Sequence, residues 1–166
     1  HFAPILTLGL LAVPLFAGAA TFQISKDGNV LIKSAAEIRD NIYAAGKSIS
    51  IQQAIFGDVV AAGAAILISE NVSEDVWAAG ATVSLLGGAG GDARLIGSNV
   101  LVSAPVAKDL LIAGGTITIS QKTAVGGDLG LAGGIITFDG TAAKNARIYG
   151  GEIIINGTIN GDVIIK

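Results

Sequence analysis

Apolar residues along this chain fall in pairs two positions apart, and the pairs return at a fixed interval. Ile49/Ile51, Ile66/Ile68, Val83/Leu85, Val100/Val102, Ile117/Ile119, Ile136/Phe138 and Ile153/Ile155 follow a glycine by three and five residues. Those glycines are Gly46, Gly63, Gly80, Gly97, Gly114, Gly133 and Gly150, spaced 17, 17, 17, 17, 19 and 17 apart. Five residues before each stands Asn41, Asp58, Asp75, Asp92, Asp109, Asp128 or Asn145, and Asp162 opens a last partial copy. Three residues earlier again come Ile38, Ile55, Val72, Ala89, Val106, Val125, Ala142 and Ile159. Two extra residues within 120–124 account for the longer spacing, and a similar insertion separates Val30/Ile32 from Ile38. Columns that stay in phase across an insertion mark a structural repeat.

A repeat of about 17 residues is too short for a helical hairpin or a propeller blade. It suits one coil of a parallel β-helix, whose rungs stack about 4.8 Å apart. The expected fold is therefore all-β: a single-stranded, right-handed parallel β-helix over 23–166 with about eight coils. Its hand is taken from known β-helices. Period-two alternation sends alternate residues inward. In the stretch GDVVAAGAAILIS, Val59, Ala61, Ile66 and Ile68 then face the core, with Ile55 on the preceding side. The column glycine is expected to serve a corner that needs unusual backbone angles. The Asp or Asn column is expected to bond its own turn.

The outward positions are apolar as well, which a water-facing strand does not require. One column beside the glycine runs Ala45, Ala62, Ala79, Ile96, Ala113, Ala132, Tyr149, and its neighbour runs Tyr43, Val60, Trp77, Arg94, Leu111, Gly130, Arg147. Such a face reaches roughly 400–500 Å², a size at which an exposed apolar patch has a purpose. Tyr43, Ala45, Val60, Ala62, Trp77, Ala79, Ile96, Leu111 and Ala113 are the candidate lateral contact residues. The face carrying Ser48, Ser50, Thr82, Ser84, Thr116 and Thr118 is more polar.

Residues 2–22, FAPILTLGLLAVPLFAGAATF, carry no charge. As a helix the run would be about 30 Å long, the thickness of a bilayer core, with Pro4 and Pro14 interrupting it. Residues 1–22 are expected to be a separate helical segment. It would be a membrane anchor or assembly arm using Phe2, Leu6, Leu10, Leu11, Leu15, Phe16 and Phe22. An uncleaved secretory signal ending near Ala17-Gly18-Ala19 is the alternative.

Composition narrows the chemistry. The chain holds no cysteine and one histidine, His1, so thiol catalysis, disulfides and multi-histidine metal sites are excluded. Net charge is -3 with no basic run, and no nucleic-acid partner is indicated. The stacked Asp column is read as turn structure rather than as metal ligands. With no second carboxylate column and minimal turns, the expectation is no enzyme, no cofactor and no metal.

A solenoid must also manage its ends, because a terminal rung offers an open strand edge. Ile24, Val30 and Ile32 at one end and Ile159, Val163 and Ile165 at the other are the candidate end-to-end interface. Repeats such as Gly57-Asp-Val-Val-Ala-Ala-Gly63 and Gly161-Asp-Val-Ile-Ile165, in short uninterrupted coils, resemble those of bactofilins, polymer-forming bacterial cytoskeletal β-helices. The resemblance covers about residues 24–166. It implies end-to-end self-assembly without nucleotide, and membrane association. The functional expectation is a non-enzymatic structural subunit forming a homopolymeric filament or scaffold at the cell envelope, with a lipid membrane as partner through residues 2–22. Placement as an extracellular filament or on the cytoplasmic membrane face stays open. A pilin-like subunit with an apolar filament core and a glycan- or envelope-binding module are the alternative functions.

Overall fold

The computed structural model describes residues 20–166. The expectations for Phe2, Leu6, Leu10, Leu11, Leu15 and Phe16 lie outside the described residues. The described chain is an all-β parallel solenoid of about 9 turns with about 17 residues per turn, one more turn than expected.

Seven long strands carry the repeat: β3 (Asn41–Ile51), β4 (Val59–Ile68), β5 (Val76–Leu85), β6 (Ala93–Val102), β7 (Leu110–Ile119), β9 (Leu129–Phe138) and β11 (Ala146–Ile155). The short strands β1 (Ala20–Ile24) and β2 (Asn29–Ile32) precede them and both pair with β3; β13 (Val163–Ile165) follows and pairs with β11. Along the third side run β8 (Ala124–Val125), β10 (Thr141–Ala142) and β12 (Thr158–Ile159). That side is continued by single parallel bridges from Ile38 through Ile55, Val72, Ala89 and Val106 to Val125. Every pairing among these strands is parallel.

Residues 20–22, expected at the end of an apolar helix, instead begin β1, and this corrects the helical reading for that part of the segment. Their backbone pairs with Asn41–Tyr43 of β3, and the Phe22 ring stacks on Tyr43 with centroids 5.0 Å apart. A Thr-Phe-Gln-Ile run beside an open strand edge favours the sheet. Among the described residues no helix is long and apolar enough to cross a membrane.

The long strands turn a corner within their length. Val59 and Ala61 are buried, then Ala64 and Ala65 are both exposed, then Ile66 and Ile68 are buried. The alternation has slipped by one residue, so the two halves of β4 face one core from different sides. Buried side chains of successive coils stack in columns: Ile49, Ile66, Val83, Val100, Ile117 and Ile136 form one. Each buried aliphatic side chain of this kind contributes roughly 1.5–3 kcal/mol. No coil buries its apolar face without its neighbours.

Space, not unusual backbone angles, selects the column glycines. Among the described residues the one glycine with positive φ is Gly28, at 77° in the turn between β1 and β2. A Cβ built at Gly97 would lie 2.8 Å from the Gly80 carbonyl oxygen, and one at Gly133 2.6 Å from that of Gly114. Successive coils approach too closely at this column for any side chain.

The Asp and Asn column does not bond its own turn. Each side-chain Oδ1 accepts a hydrogen bond from the backbone N–H of the equivalent residue one coil on. Asn41 accepts from Asp58, Asp58 from Asp75, Asp75 from Asp92, Asp92 from Asp109, Asp109 from Asp128, Asp128 from Asn145, and Asn145 from Asp162, at 2.7–3.1 Å. The ladder runs the length of the rod and gives each stacked carboxylate an amide donor, which offsets the repulsion between them.

The residue before this column alternates. It reads Asp40, Gly57, Glu74, Gly91, Lys108, Gly127, Lys144, Gly161. A Cβ at Gly57 would fall 2.7 Å from the Asp40 carbonyl and 2.8 Å from the Asn41 Oδ1; one at Gly161 would fall 2.6 Å from the Asn145 Oδ1. At every second coil this position is bare, and a side chain added there would meet the backbone and ladder of the coil before it.

Candidate functional site

The first half of each long strand presents two outward positions, and the sheet register stacks them into two columns. The first runs Phe22, Tyr43, Val60, Trp77, Arg94, Leu111, Gly130, Arg147, Ile164. The second runs Ile24, Ala45, Ala62, Ala79, Ile96, Ala113, Ala132, Tyr149. All nine expected lateral residues, from Tyr43 to Ala113, lie on these columns. Phe22 and Ile24 join them, which the sequence reading had placed in the arm and at the rod end.

The large apolar members, Phe22, Ile24, Val60, Trp77, Ile96, Leu111 and Tyr149, are between 37% and 81% exposed. With a large side chain worth roughly 150–250 Å², they expose about 700 Å² together. The first column forms a ridge and the mostly alanine second column a trough beside it. Trp77, Arg94, Ile96, Leu111, Arg147 and Tyr149 line the resulting shallow groove with the alanines.

Two arginines sit on the ridge in different states. Arg94 Nη2 donates to the Asp92 Oδ2 at 2.9 Å, and its guanidinium lies 4.7 Å from the centre of the Trp77 ring. Its charge is compensated by the carboxylate and by the aromatic face. Arg147 occupies the equivalent position, but Asn145 stands where Asp92 would be, and among the described residues it makes no ion pair. The Asp92 carboxyl is held below its ordinary value. The main cause is the Asp109 N–H; burial opposes it, and Arg94 and Lys108 assist.

The candidate end residues occupy three different environments. Val30 and Ile32 are buried. Ile24 points outward at the head of the alanine column, because the pairing of Ala20 with Asn41 sends Thr21 and Gln23 into the inward columns. At the other end Ile159 is half-buried, while Val163 and Ile165 are 44% and 52% exposed. Val163 and Ile165 continue the inward columns of Ala146 and Ile148.

The Asp ladder holds its side chains in single file, each engaged with an amide. Among the described residues no three His, Cys, Asp or Glu side chains converge as metal ligands. Comparison with protein-family models, with curated proteins and with solved structures gave no match.

Proposed function

We propose that this protein is a non-enzymatic structural subunit, a right-handed β-helical rod that associates with copies of itself into a filament or scaffold at the cell envelope, as bactofilins do. The observation that carries this reading is the form of the exposed surface. Its apolar features repeat coil after coil along the rod and do not converge on a point. Catalysis needs a few groups aimed at one reacting centre, whereas an extended apolar strip suits an extended protein partner. The uncharged run from Phe2 to Ala19 supports placement at a membrane.

The test is negative-stain microscopy with light scattering on the full chain. Rods or filaments longer than one solenoid are expected, and Val163→Asp is expected to shorten them if coil stacking joins the copies. A particle that stays monomeric at every concentration would overturn the reading.

A further inference from the structure

The lateral face carries a more specific inference, which rests on the reading of the rod as a self-associating subunit. On four coils the ridge and trough positions hold one large apolar and one small residue. Tyr43 is matched with Ala45, Val60 with Ala62, Trp77 with Ala79, and Leu111 with Ala113. Where the trough position is large, at Ile96 and Tyr149, the ridge position is an arginine; on the first coil both positions are large, Phe22 and Ile24. The guanidinium of Arg94 lies over the neighbouring Trp77 ring.

We propose that this face pairs with the same face of a second copy, the two rods parallel and in register about a two-fold axis running along the rod. Two identical faces can meet about an in-plane axis in two ways. An axis along the strands sets ridge against ridge and reverses one rod. An axis along the rod, midway between the columns, sets each ridge over the partner's trough at the same coil. Trp77 then covers Ala79 of the partner copy while Ala79 receives its Trp77, the reciprocal contact that a two-fold interface requires. Leu111 meets Ala113 likewise, and Arg147 comes over the ring of Tyr149, giving the uncompensated cation an aromatic partner.

Size supports a protein partner. The exposed large side chains amount to about 700 Å², close to the roughly 800 Å² per partner of a standard interface. Charge argues against an acidic lipid surface as the occupant. The chain carries a net charge of -3, and Arg94, one of the two cations on the ridge, is already paired with Asp92.

Trp77 is the sole tryptophan and the chain has no cysteine, so both probes are unambiguous. In the full chain, Trp77 fluorescence is expected to shift to the blue as dimers form with rising concentration. Ala79→Arg is expected to weaken the dimer about 30-fold or more, as at an interface hot spot, with an unchanged circular dichroism spectrum. Nitroxide labels on Ser48→Cys and Glu152→Cys, which share one outward column six coils apart, read the orientation. Equal, short distances in the two homotypic dimers and a long distance in the mixed dimer support parallel pairing. A short distance in the mixed dimer overturns it. A dimer indifferent to Ala79→Arg, or a monomer whose Trp77 is shielded by residues 2–19 or by added lipid vesicles, also overturns it. If longer assemblies persist in Ala79→Arg, the structural-subunit reading stands and the lateral pairing alone falls.

Discussion

Asp92 ties its own coil to the coils on both sides, through its carboxylate and its backbone N–H. Its Oδ1 accepts from the Asp109 N–H at 3.0 Å, one coil on, and its Oδ2 accepts from Arg94 at 2.9 Å. Its own N–H donates to the Asp75 Oδ1, one coil back, at 2.7 Å. Sheet ladders alone would hold the coils together on their flat sides. The Asp and Asn ladder holds them at a corner, where the strands have ended.

Removing one link tests that role. Asp75→Ala leaves the part-buried Asp92 amide without its acceptor, and a loss of about 1–3 kcal/mol is expected. Asp75→Asn is expected to lie within about 0.5 kcal/mol of the parent, since Asn41 and Asn145 perform the same task in this chain. Urea unfolding of the two variants checks the contrast.

Acid should weaken the ladder. The Asp92 carboxyl titrates below its ordinary value in the folded chain, chiefly because the Asp109 N–H donates to it. A carboxylate with a lowered folded pKa adds its full stability above the unfolded value, near pH ~4, and loses it as pH falls through the folded value. Stability measured from pH 5 downward is expected to drop, and Asp92→Asn is expected to make that drop shallower. Near neutral pH the same variant loses the ion pair with Arg94, so it starts lower.

Alternating side chains before the ladder column predict opposite outcomes for one substitution type. Gly57→Ala drives a methyl against the Asp40 carbonyl and the Asn41 side chain, and a cost of about 1–3 kcal/mol is expected from overpacking. Glu74→Ala, at the same place on the next coil, is expected to change stability by no more than about 0.5 kcal/mol, because Glu74 is exposed. Thermal unfolding of both proteins decides the matter.

Neighbouring positions on one strand should differ as sharply. Ile117 is fully buried, and Ile117→Ala is expected to cost about 2–5 kcal/mol. Leu111 lies on the exposed ridge of the same strand β7, and Leu111→Ala is expected to stay within about 1 kcal/mol for the isolated rod. If Leu111→Ala also weakens self-association while Ile117→Ala acts through stability alone, the two faces have separate roles. Denaturant midpoints and sedimentation measured together separate the effects.

The period, the inward set and the two outward columns were legible in the sequence, because a fixed spacing keeps each column in register whatever its hydrogen bonds. Ile55, Val59, Ala61, Ile66 and Ile68 are buried as the alternation predicts. The destination of the Asp side chains was not legible. A turn-capping aspartate and an aspartate reaching the next coil have the same position in a 17-residue repeat, and only the distance between coils separates them. The column glycines misled for a similar reason: close approach and unusual φ both select glycine. At the first coil, the turn at Ser25–Gly28 is longer than the corner it stacks on, and an apolar residue ahead of it does not show by itself which column it joins. Pairing of Ala20 with Asn41 fixes that register, and pairing is a property of the folded chain.

Alternation before the ladder column makes two coils, not one, the true building block; from Glu74 to its next equivalent Lys108 is 34 residues. Excising a single coil would bring a glycine level onto a glycine level, or a side-chain level onto a side-chain level. Excising or duplicating a pair preserves the sequence of bulky and bare levels. Rods of this kind can therefore be shortened or extended in even steps, and an odd step leaves a fault at the junction.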